Sequence, residues 1–303
     1  MSNKKMHVDE VNTNVSLVLR LLTTQFPQWA NLPIQPVQSA GTDNAIYRLG
    51  ANMAVRLPRY PGSTRSIDKE HHWLPKLAPY LPLSIPVLLA LGAPGEGYPF
   101  RWSILKWIEG ENVIIDCIAD PRQAAVDMAQ FITALQQIDT TGAPLATDNN
   151  LRGIGLVNRD TNTRKAIAAL HGMIDTDAAI RVWETALEAL EWEQAPVWFH
   201  GDLLPGNVLF KQGRLNAVID FGGMGVGDPA CDLMIAWGLF KGESWNIFRE
   251  ALAVDDATWV RGRGHALSQA VIFIPYYLET NPVGVGNARR MISEVLADYK
   301  HDA

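Results

Sequence analysis

The length and composition describe a folded protein that is large enough for two lobes or two domains. The chain has 303 residues, of which 48% are hydrophobic and 19% are charged, and these values exclude disordered and fibrous proteins. The net charge of -6 argues against a nucleic-acid-binding protein, and the sequence contains no apolar run of the roughly 18 residues that a membrane span needs.

The first hundred residues predict a sheet with flanking helices. Residues 11–26 have apolar side chains at helical spacing and predict an amphipathic helix. Residues 34–59 contain two or three short strands that turn residues separate, and a helix is expected to begin after them, at Ser63 or Thr64. Residues 98–111 then predict a strand that ends in a turn.

Helical patterns dominate after about residue 110. A helix is predicted to begin with Pro121 in the favoured first position, and apolar residues recur there every three or four positions. The same pattern returns in residues 163–192 and from Asp228 to the end. Residues 197–221 are the exception, because short apolar runs alternate there with tight polar loops.

Polar side chains are concentrated in this exceptional segment. Asp202 and Asn207 lie on a loop after one short strand, and Asp220 ends a hairpin that is expected to turn at residues 212–213. Because the entry and the exit of a hairpin lie side by side, the two carboxylates and the amide oxygen should meet. Taken singly, these residue types are more typical of turns and helix caps.

Two carboxylates that meet in this way favour a bound cation. In a partly dry cleft their charges repel each other, and one carboxylate would take up a proton unless a cation intervened. Mg²⁺ binds oxygen ligands and keeps waters and substrate phosphates in its remaining positions. The segment therefore predicts a site for magnesium and a phosphate group.

Four motifs in order resemble those of a known family. HGDLLPGN (200–207) and VIDFGGMGVGDPACDL (218–233) resemble the catalytic and metal-binding signature of the aminoglycoside phosphotransferase family, which are small-molecule kinases. The resemblance extends upstream through GTDNAIYRLG, AVRLPR and KEHHWLPKLAP. It implies an α+β, protein-kinase-like fold, with an N-terminal antiparallel sheet lobe (1–108) that binds nucleotide and a larger, mainly helical C-terminal lobe (109–303) that carries catalysis and substrate binding.

The resemblance also implies a role for each polar residue of the signature. Asp202 corresponds to the catalytic aspartate that accepts the proton of the acceptor hydroxyl, and Asn207 and Asp220 correspond to ligands of Mg²⁺. The implied phosphate donor is ATP or GTP. Its base would contact the backbone near Lys106 and Ile108, in the strand that connects the lobes.

Further phosphate contacts are implied in the N-terminal lobe. Arg56 lies where protein kinases have a phosphate-binding lysine, and Glu70 lies where the helical partner of that lysine is found. A plain surface ion pair is the alternative for these two residues. The sequence lacks a G-x-G-x-x-G loop, so Ser39 and Thr42 are the candidate donors over the phosphates.

Neighbouring polar residues are predicted to be structural. Asp228 precedes Pro229 and should cap the helix that follows. Asp232 should bond the backbone of the catalytic loop. His200 is expected to be a hydrogen-bonding residue and not an acid or base.

Motifs and resemblance together predict a small-molecule kinase. It would transfer a γ-phosphate to a hydroxyl of a small molecule, with aminoglycosides and other antibiotics among the acceptors. Glu243, Glu279 and Asp255 mildly favour a cationic acceptor. The alternatives are a metal-dependent phosphoesterase, which would need further His or Asp ligands, and a nucleotide-binding pseudokinase, which the intact signature disfavours.

The cysteine content indicates the location. Cys117 and Cys231 are too few for a disulfide framework or a cysteine-based metal cluster. The segment MSNKKMHVDE has no apolar stretch after its lysines, so a secretory signal is not expected. We therefore predict a cytoplasmic protein whose partners include neither nucleic acid nor membrane.

Overall fold

The computed structural model describes residues 9–37, 43–64, 66–112, 118–146 and 151–302 and shows an α+β fold. The α-helices are α1 (Val15–Gln25), α2 (Ile67–Leu77), α3 (Pro121–Gln136), α4 (Asp160–Ala169), α5 (Thr176–Glu188), α6 (Met234–Leu239), α7 (Glu243–Leu252), α8 (Asp256–Tyr277) and α9 (Pro282–Asp302). The strands are β1 (Ile34–Pro36), β2 (Asn44–Leu49), β3 (Met53–Pro58), β4 (Leu88–Gly92), β5 (Trp102–Lys106), β6 (Glu111–Asn112), β7 (Val197–Phe199), β8 (Val208–Lys211), β9 (Arg214–Val218) and β10 (Gly225–Gly227).

A five-stranded antiparallel sheet dominates the N-terminal part, as predicted. Its strand order is β1-β2-β3-β5-β4. Alternate residues of β2 are buried because one face of the sheet packs on α1. That helix begins where Asn14 accepts a hydrogen bond from the Leu17 amide at 2.8 Å. β4 was not predicted. It is an edge strand in which a register shift between Leu88 and Ala90 disturbs the alternation of side chains.

The start of α2 corrects a prediction. The helix begins at Ile67, and not at Ser63 or Thr64, which lie in a separate 3₁₀ turn. Both hydroxyls donate backwards, Ser63 to the Tyr60 carbonyl at 2.7 Å and Thr64 to the Pro61 carbonyl at 2.8 Å. They therefore close the preceding turn and do not cap the amides of the helix.

Helices form most of the C-terminal part. The predicted start of α3 is confirmed, since Asp120 accepts from the Gln123 amide at 3.0 Å and Pro121 occupies the first position. α3, α5, α6, α8 and α9 bury apolar faces, and tryptophans fill much of this core. Within the described ranges, none of the helices is both long and apolar enough to cross a membrane.

Short strands position the segment that the sequence singled out. β7 pairs with β10, and β8 forms a hairpin with β9 that turns at Gln212 and Gly213, as predicted. Both turn residues have positive φ, 52° and 76°, which matches the twist of a two-residue hairpin loop. The hairpin brings Asn207, just before β8, alongside Ile219, just after β9, with the Ile219 amide 2.9 Å from the Asn207 carbonyl oxygen.

A buried histidine in α8 predicts an acid-sensitive contribution to stability. Burial, together with Arg159 and Arg261 nearby, lowers the pKa of His265 to about 3. The folded protein therefore keeps this side chain neutral below pH 6.5, whereas the unfolded chain protonates it, so stability is lost as the pH falls. Relative to His265→Gln, we expect wild type to lose about 2.5 kcal/mol of unfolding free energy between pH 7.5 and pH 4.5.

Urea unfolding of both proteins at several pH values measures this difference. The glutamine variant is a matched control because all other titrating groups are the same in the two proteins. A difference in unfolding free energy that is constant across this pH range would contradict the prediction.

Candidate functional site

The catalytic-loop segment, residues 200–207, follows β7 and has a tightly packed backbone. Gly201 adopts φ +80°, and a Cβ atom there would lie 2.4 Å from the Gly223 carbonyl oxygen, so only glycine fits. His200 is fully buried, and its ring bonds the backbone at both nitrogens: Nε2 lies 3.0 Å from the Ile219 oxygen and Nδ1 3.2 Å from the Asp202 nitrogen. Burial lowers the pKa of His200 to about 4. The predicted structural role of His200 agrees with these contacts.

Asp232 fixes the start of this loop. Its two carboxylate oxygens accept hydrogen bonds from the amides of His200 at 2.6 Å and Gly201 at 2.7 Å. Burial raises the pKa of Asp232 to about 7, although the two amide bonds act in the opposite direction. Asp228 caps the 3₁₀ helix Pro229–Leu233, as predicted, and also forms a buried ion pair with Arg261 that the sequence did not indicate.

Replacing Asp232 should destabilise the loop. In Asp232→Ala, two buried amides lose their acceptors, so we expect the unfolding free energy to fall by about 2–5 kcal/mol. Asp232→Asn keeps one oxygen and should show an intermediate loss. Chemical denaturation of both variants beside wild type measures the effect, and an alanine variant as stable as wild type would show that the loop does not depend on this carboxylate.

The three polar residues of the signature do come together. The Asn207 side-chain amide donates to the carbonyl oxygen of Asp202 at 2.8 Å and to its Oδ2 at 3.0 Å. The Asp202 Oδ1 atom accepts from Nη2 of Arg152 at 2.9 Å. Asp220 follows the hairpin and is close enough to Asp202 for mutual repulsion to raise its pKa. The site is therefore two carboxylates around one amide side chain.

Asp220 has an unusual backbone and a perturbed carboxylate. It adopts the left-handed conformation, φ 64° and ψ 63°, which turns the chain abruptly after β9. The residue is exposed to solvent, yet the protein around its carboxylate partly desolvates it, and this desolvation, followed by Glu70 and Asp202, raises the pKa of Asp220 to about 6. A carboxylate destabilised in this way is suited to a cation.

The donor set fits Mg²⁺ that is shared with a phosphate group. Since the Asn207 nitrogen donates to Asp202, its amide oxygen is directed elsewhere and can act as a ligand beside Asp220. In the part of the chain that the structure describes, no group of three or more His, Cys, Asp or Glu side chains could enclose a metal. Mg²⁺ sites usually have few protein ligands, and phosphate oxygens complete the coordination shell of the metal.

Arg56 and Glu70 form a buried ion pair across β3 and α2. Nη2 of Arg56 bonds Oε2 of Glu70, and the side chains are only 8% and 4% exposed, which excludes a plain surface pair. Arg56 also interacts electrostatically with Asp220. The pair thus places a cation beside the proposed metal ligand, where the phosphates of a nucleotide would lie.

The other residues predicted to contact the nucleotide are Lys106, Ile108, Ser39 and Thr42. The Lys106 amide donates to the Val87 carbonyl at 2.8 Å, within the sheet, so this amide is not available to a base. Ile108 follows the end of β5 and remains a prediction. Ser39 and Thr42 lie outside the described residues.

Two cations at the site were not found by sequence reasoning. Arg152 pairs with Asp202, and Lys69 donates to the Met224 carbonyl at 2.8 Å. Lys69 begins the motif KEHHWLPKLAP but was assigned no role there, whereas Arg152 belongs to no motif and is 50 positions from its partner. Only the folded chain shows these contacts.

Two curated aminoglycoside phosphotransferases are similar to part of the chain. The chain is 25% identical over 139 residues to the aminoglycoside 3'-phosphotransferase of Salmonella typhimurium, which is 45% of this chain and 51% of that protein. A second aminoglycoside 3'-phosphotransferase, from Escherichia coli, matches to the same extent. The chain thus spans about half the length of the curated relatives it matches.

Solved structures show the same fold over nearly the whole chain. The GDP complex of wild-type aminoglycoside 2'-phosphotransferase-IIIa has a TM-score of 0.73 at 17% identity and covers 95% of this chain and 100% of that one. Macrolide 2'-phosphotransferase type I has a TM-score of 0.62 at 18% identity, with 92% and 97% covered. Residues 34–267 match the model of the phosphotransferase enzyme family, a range that contains Arg56, Asp202 and Asp220. By this match, the chain belongs to the phosphotransferase enzyme family.

Proposed function

We propose that the protein is a Mg²⁺-dependent kinase that transfers the γ-phosphate of ATP or GTP to a hydroxyl of a small molecule. The observation that carries the proposal is the position of the Asp202 carboxylate, which the Asn207 amide fixes at 3.0 Å beside the desolvated Asp220. Family membership supports phosphoryl transfer, and the nucleotides named in the structures of relatives support a nucleoside triphosphate as donor.

In this mechanism the chain's own residues align the reactants. Asn207 and Asp220 would hold Mg²⁺, which neutralises phosphate charge when bound. Arg56, fixed by Glu70, binds phosphate oxygens from the other side. Asp202 accepts the acceptor's hydroxyl proton while the oxygen bonds the γ-phosphorus and the bond to the departing nucleoside diphosphate breaks.

The acceptor is a small molecule with a hydroxyl group. The relatives suggest aminoglycosides, macrolides and other antibiotics, and the acidic residues of the C-terminal part suggested a cationic acceptor. We place the protein in the cytoplasm, where ATP and GTP are available. Its net charge of -6 supports neither nucleic acid nor an anionic membrane surface as a partner.

Two measurements on the purified protein test the proposal. Thermal shift with ATP or GTP, each with and without Mg²⁺, should show stabilisation by the Mg²⁺ complexes. Labelled phosphate should then move from the nucleotide to a member of an acceptor panel. Release of phosphate to water from phosphoester substrates without any nucleotide would favour the phosphoesterase, and nucleotide binding with neither hydrolysis nor transfer would favour the pseudokinase.

A further inference from the structure

The carboxylate of Asp202 has a cationic partner on one side. Nη2 of Arg152 lies 2.9 Å from Oδ1, while Asn207 occupies Oδ2 at 3.0 Å. The two side chains of the ion pair are 27% and 24% exposed, so the contact is only half open to solvent. Both oxygens of the Asp202 carboxylate therefore have a hydrogen-bond partner, and Arg152 is the charged one of the two partners.

The backbone of the site leaves room for this arginine. A Cβ atom on Gly223 would lie 2.8 Å from Nη1 of Arg152 and 3.3 Å from its Cδ, so the glycine lets the guanidinium lie against the turn after Asp220. The position is therefore enclosed by the catalytic loop on one side and by the segment that carries Asp220 on the other.

A second, half-buried cation lies near Arg152. Arg159 donates to two neutral groups, the Ser268 hydroxyl at 2.9 Å and the Gln269 amide oxygen at 3.4 Å, both on α8. Burial and then the charge of Arg152 lower its pKa to about 10, which shows that the two guanidinium groups are close enough to repel each other. Two guanidinium groups thus accompany the carboxylates of Asp202 and Asp232 on this side of the site.

Two of the three acidic residues that favoured a cationic acceptor have structural partners. Glu243, at the start of α7, pairs on the surface with Arg122 of α3. Asp255 caps α8 by accepting from the Thr258 amide at 2.6 Å. These two carboxylates have structural partners that explain them, whereas Arg152 has its partner in the catalytic centre.

We propose that Arg152 is a positioning and specificity residue, which orients Asp202 and selects acceptors that carry no ammonium group next to the reacting hydroxyl. This inference rests on the proposed kinase function. It narrows the acceptors of the kinase to molecules that are neutral or anionic next to the reacting hydroxyl. Because Arg152 already neutralises the Asp202 carboxylate, an ammonium group there gains little attraction from Asp202 and is repelled by the guanidinium, which should disfavour it about 10-fold. An acceptor carboxylate or neutral hydroxyl carries no such penalty.

The test uses three arginine variants of the full chain. Arg152→Gln removes the charge, Arg152→Lys keeps it without the planar fork, and Arg122→Gln removes a surface charge as the matched control. Acceptor-independent hydrolysis of Mg-ATP is measured first, with thermal melting to confirm folding. We expect kcat to fall 10-fold to 10²-fold in Arg152→Gln with an unchanged KM for ATP, partial rescue in Arg152→Lys, and no change in Arg122→Gln.

The second arm measures kcat/KM for glucose, glucuronate, glucosamine and kanamycin. In wild type, glucose or glucuronate should exceed the two amino compounds, and Arg152→Gln should shift the ratio towards the amino compounds by about 10-fold. A merely structural residue would lower all four values equally. If none of the four compounds is phosphorylated, the hydrolysis arm alone decides.

Failure of this inference is distinct from failure of the proposed function. An active wild type that prefers kanamycin, or an Arg152→Gln variant with normal kcat, overturns the role of Arg152 and leaves the kinase intact. A wild type that neither binds nor hydrolyses Mg-nucleotide overturns the kinase itself.

Discussion

Asp202→Asn is expected to remove most phosphoryl transfer while Mg-nucleotide binding stays near normal. The carboxylate is the group that would accept the hydroxyl proton, and asparagine cannot take it up. A positioned general base contributes about 10²–10⁴-fold, and the rate should fall by a factor in that range. Asparagine keeps an oxygen that can accept from Asn207, so the loop should remain folded.

Single-turnover transfer and nucleotide titration separate the two effects. Asp127→Asn is the matched control, because Asp127 accepts from Gln123 on the exposed side of α3, away from the site. We expect that control to transfer phosphate at the wild-type rate. Near-normal turnover in Asp202→Asn would exclude Asp202 as the base, and parallel loss of nucleotide binding would indicate a structural role instead.

The parts of the site that sequence reasoning found lie close together along the chain. Asp202 and Asn207 are on one loop, and the hairpin turn at Gln212 and Gly213 fixes where Asp220 returns. Short-range geometry of this kind follows from turn chemistry and residue spacing. The fold could be predicted for a similar reason, since the change from strand patterns to helical patterns near residue 110 matches the observed sheet and helices.

The contacts that were missed depend on long-range packing. Arg152 reaches Asp202 because the segment before α4 folds against the catalytic-loop segment, and Arg261 reaches Asp228 because α8 packs on the 3₁₀ helix Pro229–Leu233. A lone arginine outside any motif gives no signal in one sequence. The register shift in β4 and the 3₁₀ turn before α2 were missed because hydrogen bonds, and not residue types, distinguish them from a regular strand and a helix start.

The ion pair with Arg152 affects the nucleotide affinity that is expected of Asp202→Asn. In Asp202→Asn the guanidinium loses its anionic partner and becomes free to bind phosphate oxygens. Nucleotide affinity should therefore hold or rise in that variant. The double variant Asp202→Asn with Arg152→Gln should lose this gain, and a thermodynamic cycle of the four proteins measures the coupling between the two side chains.

Asp220→Asn should weaken the binding of the Mg²⁺ on which catalysis depends. The backbone at this position is left-handed, and asparagine adopts that conformation as readily as aspartate, so the hairpin exit should keep its shape. The substitution therefore removes the negative charge of the side chain at position 220 and keeps its size. Metal stabilisation of transferred charge amounts to several kcal/mol, so kcat/KM for the nucleotide should fall on the order of 10³-fold.

Titrating Mg²⁺ at fixed nucleotide concentration distinguishes this result from that of Asp202→Asn. In Asp220→Asn the concentration of Mg²⁺ for half-maximal activity should rise, and the thermal stabilisation by Mg-nucleotide should shrink. In Asp202→Asn that concentration should stay the same, and the stabilisation should hold or rise. Asp256→Asn is the control, because Asp256 is exposed and pairs only with Arg249 on the surface. An Asp220→Asn variant with a wild-type Mg²⁺ response would place the metal at other ligands. The charge of the Asp220 carboxylate would then be offset by Arg56, with which it interacts electrostatically.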